Sequence, residues 1–139
     1  MALHIVSENE TVALDLWVWP LAATAQHRAA LAAHLDSAEQ ARAAGYYRDE
    51  DRAAFEIARG RMREILAGYI GCAPRSVPLV AGPHGRPVLG ASARGRGPAF
   101  NLAHAGGWAA LVTGPHGIVL GIDIEPWREV EPCVAERFF

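Results

Sequence analysis

An α+β fold follows from three observations on the sequence. Thr11 to Trp19 alternates Val12, Leu14, Leu16 and Val18 against Thr11, Ala13, Asp15, Trp17 and Trp19, the period of a strand. Phe55, Ala58, Met62, Ile65, Leu66 and Tyr69 recur at three- and four-residue steps, the apolar face of one long helix. From Ala99 to Glu125, apolar stretches are separated by glycine-rich turns, which reads as an antiparallel β-meander packed on that helix.

Each element has its own local signals. Pro20 closes the first strand, and the alanine-rich stretch Ala22 to Leu35 reads as helix. Ser37-Ala-Glu-Gln40 resembles a capping box, with Ser37 as N-cap and Gln40 reaching back. A short helix from about Ala38 to Ala44 should follow and end at Gly45. Asp49 or Asp51 starts the long helix, which runs to about Tyr69 and stops at Gly71. Val77 to Ala81 reads as a short strand, Gly82 to Pro87 as turn chemistry throughout, and Gly90 to Pro98 as a mobile loop. Within the meander, Phe100 and Leu102 mark one strand, Gly106-Gly107 a hairpin turn, and Trp108 to Thr113 a second strand. Gly114 to Gly117 turns again, and Gly117 to Glu125 is expected as the third strand. Pro132 to Phe139 reads as the opening of a helix whose Phe138 and Phe139 want a packing partner.

Composition narrows the function classes. The chain has 139 residues, 51% of them hydrophobic, and a net charge of −2, which suits one domain with a real core and gives no support to nucleic-acid binding. No apolar run approaches the roughly 18 residues that would span a membrane, and no signal peptide is visible at the N-terminus. Cys72 and Cys133 are far apart and form no CxxC pattern, so idle cytosolic thiols are expected. All thirteen basic residues are arginine. Any side-chain cation that meets a phosphate must therefore be a guanidinium, which can bind bidentately.

Two groups of residues could carry chemistry. In the expected third strand, Ile118, Leu120, Ile122 and Ile124 point one way and Asp123 and Glu125 the other, the two carboxylates roughly 6–7 Å apart. Such a pair can hold a hard divalent cation, since Mg²⁺ takes one or two carboxylates plus phosphate oxygens. It can equally be a solvated strand end before Pro126. Arg52, Glu56, Arg59 and Arg63 form a second stripe on the long helix. By pattern it is either a solvated face laced by i,i+4 pairs or an anion site of three guanidiniums.

Several motifs in order resemble the Sfp-like 4′-phosphopantetheinyl transferases. Ser37 to Arg63 is similar to that family's helical region, with an aromatic pair at Tyr46-Tyr47, an Asp-Arg step at Asp51-Arg52 and Arg59-x-x-x-Arg63. Gly85-Arg86-Pro87 resembles its Gly-Lys-Pro turn, and Phe100-Asn101-Leu102-Ala103-His104 its Phe-Asn-(Leu/Ile)-Ser-His strand. Gly121-Ile122-Asp123-Ile124-Glu125 resembles its acidic metal motif, and Ala135 to Phe139 the segment that follows.

The resemblance implies a transferase that moves the 4′-phosphopantetheine arm of coenzyme A to a serine on an acyl or peptidyl carrier protein, leaving 3′,5′-ADP. It implies Mg²⁺ held by Asp123 and Glu125, with Arg86 and His104 on coenzyme A phosphates. Arg52, Arg59 and Arg63 become candidates for its 3′-phosphate. A cytoplasmic setting and no membrane or nucleic-acid partner are expected. Arg86 keeps the charge of the family lysine but changes its geometry. Ala103 and Ala105 stand where serines are usual, and the loss of a hydroxyl bond costs about 0.5–1.5 kcal/mol of cofactor binding. The family fold has two similar halves. Residues 1–115 resemble the first and 116–139 the opening of the second. The downstream Lys-Glu motif, whose glutamate would be third metal ligand and general base, has no counterpart, since the chain has no lysine. No catalytic residue is therefore assigned here. A truncated form is expected, with self-association through its unpaired half. The competing reading is an inactive coenzyme A- or carrier-binding module.

Overall fold

A computed structural model describes residues 2–7, 10–93 and 95–127, with side chains described from residue 11 onward. The expected helix from Pro132, with Phe138 and Phe139, lies outside the described residues, as does Cys133. The fold is mixed helix and antiparallel sheet. Strands β1 (Ala2–Ser7), β2 (Glu10–Pro20), β5 (Ala99–Ala105) and β6 (Trp108–Gly114) make one sheet in the order β1-β2-β6-β5. A separate hairpin pairs β3 (Leu79–Ala81) with β4 (Pro87–Leu89). Three helices lie between β2 and β3: α1 (Ala25–Ala32), α2 (Ser37–Ala44) and α3 (Asp49–Ile70).

The alternation of β2 decides what each face meets. Trp17 and Trp19, with Ala109 and Leu111 across the β2–β6 register, join Ile57, Met62, Ile65 and Leu66 of α3 in the main core. Leu14, Leu16 and Val18, with Ala110 and Val112, face the other way. Gly60 lets α1 cross α3 closely: a Cβ there would sit 2.4 Å from the Leu31 carbonyl oxygen. Gly71 ends α3 in the left-handed region at φ 80°, its amide donating to the Ala67 carbonyl at 2.8 Å.

The sheet differs from a three-stranded meander. Gly117 to Glu125 is not a strand of the ladder, because both edges of β6 are already taken, by β2 on one side and β5 on the other. The side-chain alternation survives without the ladder: Ile118, Leu120, Ile122 and Ile124 are half-buried, while Val119, Gly121, Asp123 and Glu125 are exposed. Ile122 and Ile124 border a cleft of about 360 Å³ together with Leu14, Leu16, Val18, Ala110 and Val112 of the outer sheet face. Asn101 Nδ2 ties the segment down by donating to the Leu120 carbonyl at 3.0 Å. β1 extends the sheet beyond β2.

Two other boundaries moved. The N-cap of α2 is Asp36, not Ser37, and the reciprocal partner is Glu39, not Gln40. Asp36 accepts from the Glu39 amide at 2.8 Å, and Glu39 accepts from the Asp36 amide at 3.1 Å. Gln40 instead donates to the Leu35 carbonyl at 3.2 Å. The expected helix Ala22 to Leu35 is trimmed at its start because the Thr24 hydroxyl caps it, accepting from the His27 amide at 3.1 Å. Part of the loop expected to be mobile is a 3₁₀ turn at Ala91–Ala93, with Ala93 buried. No helix among the described residues is long and apolar enough to cross a membrane.

Candidate functional site

The arginine stripe of α3 is split between two ion-pair clusters. Arg52 and Arg63 are eleven residues apart, about 16 Å along the helix axis. Arg52 pairs with Glu56 at 3.0 Å, and Glu56 also receives Arg28 at 2.6 Å. Arg28 donates both terminal nitrogens to Asp49, at 2.9 and 3.0 Å. Arg28, Arg52 and Glu56 border a groove of about 750 Å³ between α1 and the start of α3. The three candidate guanidiniums therefore do not converge on one anion.

Arg63 is fully buried, with 0% exposure. Its Nε donates to Glu39 at 2.6 Å and Nη2 to Asp36 at 2.8 Å. Nη1 reaches the carbonyls of Pro74, Arg75 and Val77 at 3.1, 3.3 and 3.0 Å. This guanidinium binds the cap of α2 to the turn before β3 and has no nitrogen left for a ligand. The expectation that it contacts a phosphate gives way to a structural role, for the physical reason that a buried cation needs all of its partners.

Arg59 differs. Its side chain is 12% exposed and its one side-chain hydrogen bond among the described residues is to Glu39, at 3.4 Å. It lies 5.3 Å from the centre of the Phe55 ring, and Arg42 lies 5.0 Å from the same ring. Burial, only partly offset by Glu39, pulls the Arg59 pKa below the usual arginine value. Asp36 and Glu39 supply two negative charges against the three positive charges of Arg42, Arg59 and Arg63. Among the described residues the cluster thus holds one more positive than negative charge. Phe55 was read only as part of the apolar face of α3, and Arg42 and Glu39 were given no part in a site, since they meet Arg59 only through the packing of α2 on α3.

Arg86 is exposed at the end of the β3–β4 hairpin, where Gly82 donates to its carbonyl at 2.6 Å. It borders a cleft of about 280 Å³ with Phe100, His116 and the run Ile118 to Leu120. His116 was read only as part of a turn. It lies on the rim of this cleft and of a neighbouring one of about 350 Å³, with Nδ1 3.3 Å from the Gly97 carbonyl. In the neighbouring cleft, Tyr69 donates to Asp15 at 2.6 Å and shares a 2.9 Å bond with Thr113. Burial and the Asp15 carboxylate push the Tyr69 hydroxyl pKa up.

Asp123 and Glu125 are exposed on the segment that leaves the Arg86 cleft. Asp123 Oδ1 accepts from the Ile124 amide at 2.9 Å. His104 is exposed opposite Ala109 in the β5–β6 register, on the face of β5 opposite that of Asn101. Among the described residues, no group of three or more His, Cys, Asp or Glu could hold a metal ion. Asp123 and Glu125 alone still fit magnesium: both are hard oxygen donors, and their exposure leaves room for the waters and phosphate oxygens that this ion keeps.

Comparison with known proteins gives the arrangement a context. No family profile matches the chain. Over 129 residues it is 38% identical to the 4′-phosphopantetheinyl transferase HetI of Nostoc sp., a match that takes in 91% of this chain and 54% of that protein. Over 91 residues it is 34% identical to slr0495 of Synechocystis sp., provisionally named for the same activity, covering 66% of this chain and 36% of that protein. The chain spans about half the length of the Nostoc relative and about a third of the Synechocystis one.

Proposed function

This chain belongs to the 4′-phosphopantetheinyl transferase family, and on that premise we propose that it forms the coenzyme A-binding part of a magnesium-dependent transferase acting on a carrier-protein serine. Residues 1–115 correspond in this reading to the first half of the transferase fold and 116–139 to the opening of the second. The setting is cytoplasmic, and the partners are coenzyme A and an acyl or peptidyl carrier protein.

The observation that carries the reading is a shared cleft. Arg86 and residues 118–120, which lead directly into Asp123 and Glu125, border the same space although about thirty residues separate them. A cation thus stands beside the origin of a hard-oxygen pair, a combination suited to a diphosphate. In the reaction, the carrier serine oxygen bonds to the phosphorus that bears the pantetheine arm. The bond from that phosphorus to the bridging oxygen breaks, 3′,5′-ADP leaves, and the serine proton passes to a base that this chain is not assigned to supply. Magnesium held by Asp123 and Glu125 would neutralise charge on the diphosphate. Arg86 holds phosphate oxygens from the hairpin side. Arg59 holds the 3′-phosphate, and His104 is a further phosphate contact. Arg52 remains a candidate at the rim of its groove, already occupied in part by Glu56. Phosphoryl transfer asks mainly for such positioning and neutralisation.

The test is to incubate the chain with coenzyme A, Mg²⁺ and an apo carrier protein, then weigh the carrier. The expected result is coenzyme A binding with little transfer by the 139-residue form and full transfer by a longer polypeptide that supplies the base. Absence of coenzyme A binding by both forms overturns the proposal. The outer sheet face, where Val18 is 53% and Trp108 49% exposed, is where self-association of the short form is expected.

A further inference from the structure

Glu39 occupies an unusual position. It is 7% exposed, yet it serves three groups: the Asp36 amide, the Arg63 guanidinium and, through its other oxygen, Arg59. The contacts are unequal. Arg63 is held at 2.6 Å, whereas Arg59 is at 3.4 Å. The buried Arg63 clamp fixes the carboxylate, and the Phe55 ring supports Arg59 independently of it. Glu39 is therefore a fixed negative charge beside Arg59, whose side chain is 12% exposed, rather than the group that aims it.

We propose that Glu39 limits the affinity of the Arg59–Arg42 site for a phosphate monoester, acting as a built-in counter-charge. This inference rests on the reading of Arg59 as the holder of the coenzyme A 3′-phosphate. Its functional sense lies in turnover. The 3′-phosphate leaves unchanged on 3′,5′-ADP, so an uncompensated pair of guanidiniums would hold product as tightly as substrate. A carboxylate that shares one of them weakens both equally and eases release. Arg63 makes the arrangement durable, because its own charge and five donors are spent on Asp36, Glu39 and three carbonyls and do not reach the ligand.

The experiment is calorimetric titration of 3′,5′-ADP and of 5′-AMP into the wild-type chain and its Glu39→Gln and Arg59→Gln variants, at low and moderate salt. Removing one nearby negative charge should tighten 3′,5′-ADP binding about 3- to 10-fold at low salt and leave 5′-AMP unchanged. Arg59→Gln should abolish the preference for 3′,5′-ADP. Unchanged or weaker binding by Glu39→Gln, with wild-type binding intact, overturns the inference and leaves the transferase reading standing. Absence of wild-type binding to 3′,5′-ADP overturns both. If Glu39→Gln does not fold, Arg59→Gln decides alone: a retained preference for 3′,5′-ADP overturns the inference.

Discussion

Arg63 has the heaviest structural duty of any single side chain described here. Replacing it with methionine removes a fully buried cation and takes one donor each from Glu39, Asp36 and three carbonyls. We expect a loss of about 3–5 kcal/mol in urea unfolding. Arg63→Lys should recover less than half of it, since an ammonium has three donors and no planar fork. Glu64 offers a test in pH. Burial opposes its ionisation, but hydrogen bonds from Arg61 and His34 outweigh that and hold its carboxyl below the ordinary value of 4.5. A carboxyl lowered on folding stabilises the fold above the unfolded value and ceases to do so as pH falls through the folded one. The stability difference between wild type and Glu64→Gln should therefore be present at neutral pH and shrink below about 4.5, read from unfolding curves across that range.

The helices depend on close approach and on capping. Gly60→Ala raises intrinsic helix propensity by about 1 kcal/mol. The added carbon would nevertheless stand 2.4 Å from a Leu31 backbone oxygen that cannot move alone. We expect net destabilisation of about 2 kcal/mol or more, with α1 displaced from α3, measured by thermal unfolding and amide exchange in α1. Asp36→Ala removes both the cap of α2 and an ion-pair partner of Arg63. It should cost more than the roughly 1 kcal/mol of an ordinary cap, whereas Ser37→Ala should cost little. That contrast also explains why the sequence pattern erred by one residue. Ser37 and Gln40 satisfy the local motif as well as Asp36 and Glu39 do. The choice falls to the pair that Arg63, more than twenty residues away, can neutralise.

At the level of the whole molecule, the decisive test of the proposed activity is the acidic pair. In a polypeptide extended beyond this chain, Asp123→Ala with Glu125→Ala should lower carrier loading at least 100-fold, about 3 kcal/mol in barrier, while coenzyme A binding without metal changes little. Normal loading by the double variant would refute the metal role. Arg86→Lys should retain most loading if the cleft uses charge alone, and lose it if bidentate geometry is required.

Much of this molecule was legible without coordinates. Period-two alternation marked β2, period-3.6 spacing marked α3, and glycines marked the β5–β6 turn and the ends of α2 and α3, because each depends only on neighbours in the chain. The apolar-in, acid-out alternation of 118–125 was also readable, for the same local reason. Its partner was not. Hydrogen bonding around β6 was settled when β2 claimed the edge that a meander would have used, a contact between segments almost a hundred residues apart. The arginines divide in the same way. Their spacing announced a stripe on one helix, but burial sorted them: Arg63 into the fold, Arg52 toward Glu56, and Arg59 beside the ring it shares with Arg42. Side-chain type and local period are properties of the chain alone. Which charge is buried and neutralised depends on packing between distant segments, and only the tertiary structure decides it.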